Sequence, residues 1–223
     1  MIITIDGPTA SGKSTVAQIV AKELSIYYLN SGFLYRALAY ILKHEGFQDH
    51  IISELPESEI SKFILPDLFI YKYDPVEKIS VIYKNLELTK FLKTHEMDKL
   101  TSVISKYPPI RAALLNYQRL FAKSNSLVVE GRDTGTVVFP EANFKFFLTA
   151  KTEIRAQRWQ RDQEKLGNFF IFDECVSLIS QRDERDTKRI NSPCVSASDA
   201  YLIDNSEIDL VTTAKEILKI CRP

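Results

Sequence analysis

Ile2-Ile3-Thr4-Ile5-Asp6-Gly7-Pro8-Thr9-Ala10-Ser11-Gly12-Lys13-Ser14-Thr15 is the stretch on which the reading of this chain turns. Ile2–Asp6 is short and apolar, as a fully buried parallel strand should be. Gly7–Ser14 matches Gly-x-x-x-x-Gly-Lys-Ser/Thr in full. Ser14–Leu24 then carries Val16, Ile19, Val20 and Leu24 on one helical face. Strand, glycine loop and helix in that order predict a phosphate-binding loop, in which backbone amides wrap a polyphosphate and the helix dipole favours its charge. Lys13 can reach the β- and γ-phosphates, and the Ser14 hydroxyl can ligate Mg2+. Gly7, Pro8, Thr9, Ala10, Ser11, Gly12 and Thr15 complete the expected nucleotide-binding run.

Glycine is scarce, with 7 in 223 residues, so its placement is informative. Gly7, Gly12, Gly32, Gly131 and Gly135 all fall where strand-like runs pass into loops, where backbone approaches ligand closely. Gly46 and Gly167 read as ordinary turn glycines. Ile26–Leu29 predicts a second short strand, Asn30–Ser31–Gly32 its turn, and Phe33–Leu42 a helix. Within this motif Ser31, Tyr35 and Arg36 are candidate substrate residues. Arg36 falls about one turn into the helix, and its forked guanidinium suits a phosphate. Taken alone, an arginine there is more often simply solvated.

Farther along, β-rich Leu68–Tyr73 and Ile79–Tyr83 flank Asp74–Pro75 as a hairpin. Met97–Lys106 reads as a helix closed by Pro108–Pro109, and Ile110–Lys123 as a longer one. Leu127–Glu130 is a strand leading into Gly131-Arg132-Asp133, which by itself could be only an ion pair capping a turn. Phe144–Thr149 and Ala200–Ile203 are further strands. Thr152–Lys165, Asp173–Arg189 and Leu210–Cys221 are helices, the last capped by Asp209. Arg155, Arg158 and Arg161 line one charged helix. Arg182, Arg185/Asp186 and Arg189 line the next at helical spacing. Such faces are usually solvated; beside a phosphate loop they could form a mobile lid. The alternation predicts an α/β fold with a central parallel sheet flanked by helices and ligands at the carboxyl ends of its strands.

Composition narrows the function classes. The chain is 45% hydrophobic and 26% charged with a formal net charge of 0. That excludes a disordered charged chain and gives no support to nucleic-acid binding driven by bulk charge. No apolar run approaches the roughly 18 residues of a membrane span. The start shows neither a basic region nor a cleavage site, so no secretory signal is expected. Cys175, Cys194 and Cys221 are too dispersed for a zinc site or disulfide frame and suggest reduced thiols and a cytoplasmic protein. His44, His50 and His95 lie among polar neighbours and read as surface histidines.

Together, Ile5-Asp6-Gly7-Pro8 with its loop, Ser31-Gly32 with Tyr35-Arg36, Glu130-Gly-Arg-Asp-Thr-Gly-Thr-Val-Val-Phe-Pro140, and Arg182-Asp-Glu-Arg-Asp186 with Arg189 resemble the bacterial-type cytidylate kinases among the nucleoside monophosphate kinases. The resemblance runs along most of the chain and is weakest over 47–97. It implies a P-loop kinase fold in one domain over 1–223, with a monophosphate-binding insertion at about 33–107 and a helical lid at about 155–189. It also implies ATP and Mg2+ as cofactors and phosphorylation of CMP and dCMP. No nucleic-acid polymer or membrane partner is expected, and the protein should be a monomer. Carried over by position, Ser102 and Arg111 look like the cytosine-binding pair and Asp133 like the base-contacting aspartate. Arg36 and Arg132 look like the CMP phosphate arginines. Arg182, Asp186 and Arg189 look like the residues that close over nucleotide and sugar, with Arg158 on the ATP side. Lys13, Arg132 and Arg182 are the expected catalytic residues. Ala10 stands where a glycine is common, sterically mild if its φ is negative, and Asn30 where aspartate is usual. Arg36, Arg111 and Arg132 would also serve a kinase acting on UMP, AMP or shikimate. A nucleotide switch protein should show a guanine-reading Asn-Lys-x-Asp, which the sequence lacks.

Overall fold

The computed structural model describes residues 1–76 and 78–222, without the side chains of Asp49, Lys78 and His95. The expectation for His95 therefore lies outside the described residues; His44 and His50 are exposed. The chain divides into two compact units, one formed by Met1–Tyr28 with Ser126–Pro223 and the other by Leu29–Asn125.

The first unit is built on strands β1 (Ile2–Asp6), β6 (Leu127–Glu130), β7 (Phe144–Thr149) and β8 (Tyr201–Asp204), with β2 (Tyr27–Asn30) completing a five-stranded sheet of order β2-β6-β1-β7-β8. β1 runs parallel to β6 on one side and β7 on the other, and β7 runs parallel to β8. Ile3, Ile5, Val128, Val129 and Leu148 are fully buried, which is why these strands carry unbroken apolar runs. The flanking helices are α1 (Lys13–Leu24), α7 (Thr152–Glu164), α8 (Phe172–Lys188) and α9 (Leu210–Cys221). α1 packs on β6 and α9, and α7 packs on α8. The parallel sheet with flanking helices is the one expected from the alternation. Because β1 sits centrally, the loops after β1 and β6 emerge side by side at the carboxyl edge of the sheet, where open α/β sheets bind ligands.

The second unit contains α2 (Ser31–His44), the short α3 (Asp49–Ile52) and α4 (Glu57–Ser61), the antiparallel strands β3 (Phe69–Asp74), β4 (Lys78–Tyr83) and β5 (Leu86–Glu87), then α5 (His95–Ile104) and α6 (Pro108–Lys123). The β3–β4 hairpin follows the sequence reading; α3 and β5 are too short to leave a periodicity. Two expectations change here. Asn30–Ser31–Gly32 is not a turn: α2 starts at Ser31, and the Asn30 side chain accepts from the Phe33 amide at 3.0 Å as an N-cap. Pro108–Pro109 open α6 rather than closing α5, since proline fits the first helical turn where no amide partner is needed. α2 buries Phe33, Leu34, Leu38, Ile41 and Leu42 and packs on α5.

The cap makes a stability prediction. Asn30→Ala should lower stability by about 1 kcal/mol, and Asn30→Asp should retain the cap and avoid most of that loss. Urea unfolding of both variants checks the pair.

Candidate active site

The phosphate loop leaves β1 through a position that only glycine can occupy. Gly7 has φ +147°, and a Cβ there would lie 2.0 Å from the Leu148 carbonyl oxygen of β7. Gly12, at φ +89°, caps α1. Between them the Lys13 ammonium donates to the Pro8 carbonyl at 2.6 Å and to Ser11 Oγ at 3.3 Å. Asn205 Nδ2 holds the Ser11 carbonyl at 2.9 Å. Burial pushes Lys13 down to about 7, and the nearby Arg132 charge adds to the effect. Ser14, at the start of α1, donates to Glu130 Oε1 at 2.7 Å, and Tyr28 donates to the same oxygen at 3.1 Å.

Ala10 departs from the expectation of a negative φ. It sits at +59°, the left-handed region that glycine enters freely and alanine at a cost. The two peptides that flank Thr9, the second of which leads into Ala10, are held by neighbouring residues. Arg155 Nη1 donates to the Thr9 carbonyl at 2.9 Å, and Asp183 Oδ1 accepts from the Thr9 amide at 2.8 Å.

At the end of β6 the chain turns through a wide helical segment, Thr134–Val138. The buried Asp6 carboxylate organises it: Oδ1 accepts from Thr134 N at 2.9 Å and Thr134 Oγ1 at 2.8 Å, and Oδ2 accepts from Gly135 N at 2.7 Å. Burial raises Asp6 to about 6 even against these three donors. Just before this segment, Arg132 Nε donates to Asp186 Oδ2 at 2.9 Å and Arg132 Nη2 to Thr9 Oγ1 at 3.3 Å. Arg189 Nη2 lies 3.4 Å from Asp133 Oδ1, and Arg189 Nη1 lies 4.0 Å from Asp186 Oδ1. Arg182 also bears electrostatically on Asp186. The structure therefore brings Lys13, Arg132, Asp133, Arg182, Asp186 and Arg189 to one edge of the sheet. Arg158 is engaged by Asn205, donating to its Oδ1 at 2.8 Å and its carbonyl at 2.9 Å.

In the second unit, Arg36 is ion-paired with Asp98 of α5 through Nε at 3.0 Å and through Nη2. The guanidinium of Arg111 stands 5.5 Å from the Tyr35 ring centroid and donates to the Ser105 carbonyl at 3.1 Å. Ser31 is buried at the start of α2. Ser102 Oγ is a buried hydroxyl with no hydrogen-bond partner among the described residues.

A family model described as cytidylate kinase matches residues 3–222. The chain belongs to the cytidylate kinase family. It is 37% identical to the cytidylate kinase of Marinomonas sp. over 94% of this chain and 90% of that one. It is likewise 37% identical to that of Shewanella frigidimarina, over 98% and 93%. A solved shikimate kinase from Bacteroides thetaiotaomicron shares the fold, with a TM-score of 0.51 at 10% identity over 100% of this chain and 99% of that one.

Within the cytidylate kinase pattern, four contributors escape a reading of motifs. Asp6, Glu130, Asp183 and Asn205 all hold site residues in place. Asp6 and Glu130 sit inside quoted motifs, but nothing in their spacing says whom they touch. Asp183 looks like one more acid in a charged helix, and Asn205 follows a strand with no motif at all. Among the described residues no group of three or more His, Cys, Asp or Glu side chains is placed to hold a metal. Ser14 Oγ and Glu130 Oε1, 2.7 Å apart, are nonetheless hard oxygen donors of the kind Mg2+ takes alongside water and phosphate.

Asp186 supplies a pH test. Burial opposes its ionisation, but Arg132, Arg182 and Arg189 outweigh that and hold it below the ordinary carboxylate range. A depressed native pKa stabilises the fold above the unfolded value near 3.8, and that stabilisation is lost as pH falls through the native pKa. Asp186→Asn should thus cost about 3 kcal/mol at neutral pH, with the gap to the parent closing below about pH 4. Urea unfolding from pH 7 downward measures it.

Proposed function

We propose that this chain transfers the γ-phosphoryl group of ATP to CMP and dCMP, giving CDP and dCDP with Mg2+ bound at the phosphates. The observation that carries this reading is a complete phosphate loop whose buried Lys13 lies on the same sheet edge as Arg132, Asp133 and Arg189. Phosphoryl transfer asks mainly for positioning and charge neutralisation, since the acceptor phosphate is already an anionic nucleophile. The P–O bond to ADP breaks as the bond to a CMP phosphate oxygen forms. Loop amides and Lys13 hold the donor phosphates, and a polyphosphate supplies the anionic surroundings that a buried ammonium lacks. Arg132 and Arg182 face the charge spread over the transferred group. Mg2+, when bound, neutralises charge on the β- and γ-phosphates, with Ser14 and Glu130 as the residues that would hold it.

Base selection follows from hydrogen-bond complementarity. Cytosine presents an N4 amino donor with N3 and O2 acceptors. Asp133 accepts from N4, while Ser102 and Arg111 donate to N3 and O2. Uracil would set its O4 acceptor against the same carboxylate. In this reading Ser31, Tyr35 and Arg36 belong to the acceptor site, 33–107 is the monophosphate-binding insertion, and 155–189 is the lid that excludes water. The enzyme works as a cytoplasmic monomer.

Two substitutions test the assignment. Lys13→Ala should lower kcat by ~100- to 1,000-fold, as for loss of one transition-state charge contact. Near-normal turnover by a folded variant would overturn the role of Lys13. Asp133→Ala should lower the CMP-over-UMP ratio in kcat/KM by ~10- to 150-fold, because a hydrogen bond to a charged group is lost and the clash with O4 relieved. A coupled assay with CMP, dCMP, UMP, AMP and shikimate at saturating Mg2+ reads both, and an unchanged ratio removes Asp133 from base recognition.

A further inference from the structure

The phosphate loop contains a backbone strain and, next to it, a side-chain pair that holds it. Ala10 is at φ +59°. Rotating the Thr9–Ala10 peptide changes that angle, and the carbonyl oxygen of this peptide accepts from Arg155 Nη1 at 2.9 Å. The preceding peptide presents the Thr9 amide to Asp183 Oδ1 at 2.8 Å. Asp183 Oδ2 in turn is ion-paired with Arg155. Arg155 is itself fixed at the start of α7, through Nε to the Ala150 carbonyl at 2.9 Å and Nη2 to Thr152 Oγ1 at 3.2 Å. Both side chains are largely buried, at 8% and 17% exposure, so solvent competes weakly for these bonds. The third polar group of Thr9, its hydroxyl, takes Arg132 Nη2.

We infer that the Arg155–Asp183 pair is a clamp on the Thr9 backbone that holds Ala10 in its left-handed conformation and so presets the loop for nucleotide phosphates. Both residues are positioning residues: they act on the ligand through the Thr9 and Ala10 peptides. An L-residue disfavours this conformation in isolation. Without the clamp the Thr9–Ala10 peptide turns to relieve it, and the loop amides no longer converge on one anion. The α7–α8 hairpin that carries the arginine face is thereby tied to the loop it serves. The inference rests on reading Gly7–Ser14 as a nucleotide phosphate loop.

A double-mutant cycle tests it, with the Kd for ADP in the presence of Mg2+ measured by calorimetry on the full chain. Asp183→Ala should weaken ADP by roughly 5- to 30-fold, the left-handed penalty expressed as an equilibrium ratio. The same substitution in the Ala10→Gly background should cost about twofold or less, because glycine enters that region without penalty. An equal loss in both backgrounds overturns the clamp, since a merely structural role for Asp183 would not depend on residue 10. If Asp183→Ala does not fold, Asp183→Asn, which keeps an oxygen for the Thr9 amide but gives up the charge opposite Arg155, enters the same cycle under the same criterion. A parent protein that fails to bind ADP overturns the phosphate-loop reading itself. Binding by the parent with no change in Asp183→Ala overturns the clamp alone.

Discussion

Everything at this sheet edge depends on one close approach. The chain leaves β1 at Gly7 with room for a hydrogen atom and nothing more between its α-carbon and the Leu148 carbonyl of β7. That contact lets the loop turn tightly over the sheet and deliver Gly12 and Lys13 to the start of α1. Any side chain at position 7 would push against backbone, which has no alternative rotamer to adopt. Gly135 repeats the theme one strand over, where a Cβ would fall 2.7 Å from Thr4 Oγ1 and 3.4 Å from Asp6 Oδ2.

Charge is then distributed so that Arg132, Arg155 and Arg189 each lie against a carboxylate. Arg132 faces Asp186, Arg155 faces Asp183, and Arg189 lies between Asp133 and Asp186. Isolated, each of these groups would be costly to bury; paired, they hold one another in fixed orientations. Lys13 differs in kind. Its hydrogen-bond partners are the neutral Pro8 carbonyl and Ser11 hydroxyl, and burial, with the nearby Arg132 charge, lowers its affinity for a proton. The site thus places a buried ammonium where the phosphate loop converges, the place at which an anionic ligand gains most.

The parallel strands, the glycine loop and the helices behind it were legible in the sequence because each is a local pattern. An apolar run of five residues, a fixed Gly–Gly–Lys–Ser spacing and a 3.6-residue periodicity survive without knowledge of neighbours. Elsewhere the local chemistry admits two geometries. Asn30 and the glycine two residues after it suit either a turn or a helix cap, and packing of α2 against α5 chose the cap. Pro108–Pro109 can end one helix or begin the next. Alanine at position 10 implies a negative φ, whereas the peptide preceding it, held through the Thr9 carbonyl, accompanies a left-handed φ of +59°.

The sequence by itself determined the chemistry at hand: a lysine, a serine and the arginines that a phosphoryl-transfer site of this type uses, at local spacings that survive without knowledge of neighbours. Tertiary structure alone decided the pairings. Asp6 reaches Thr134 and Gly135 across 128 and 129 residues, Asp183 reaches Thr9 across 174, and Asn205 reaches Ser11 across 194. Such partners share no periodicity or motif, because the strand order β6-β1-β7-β8 and the packing of α8 that make them neighbours are properties of tertiary packing and not of any contiguous segment.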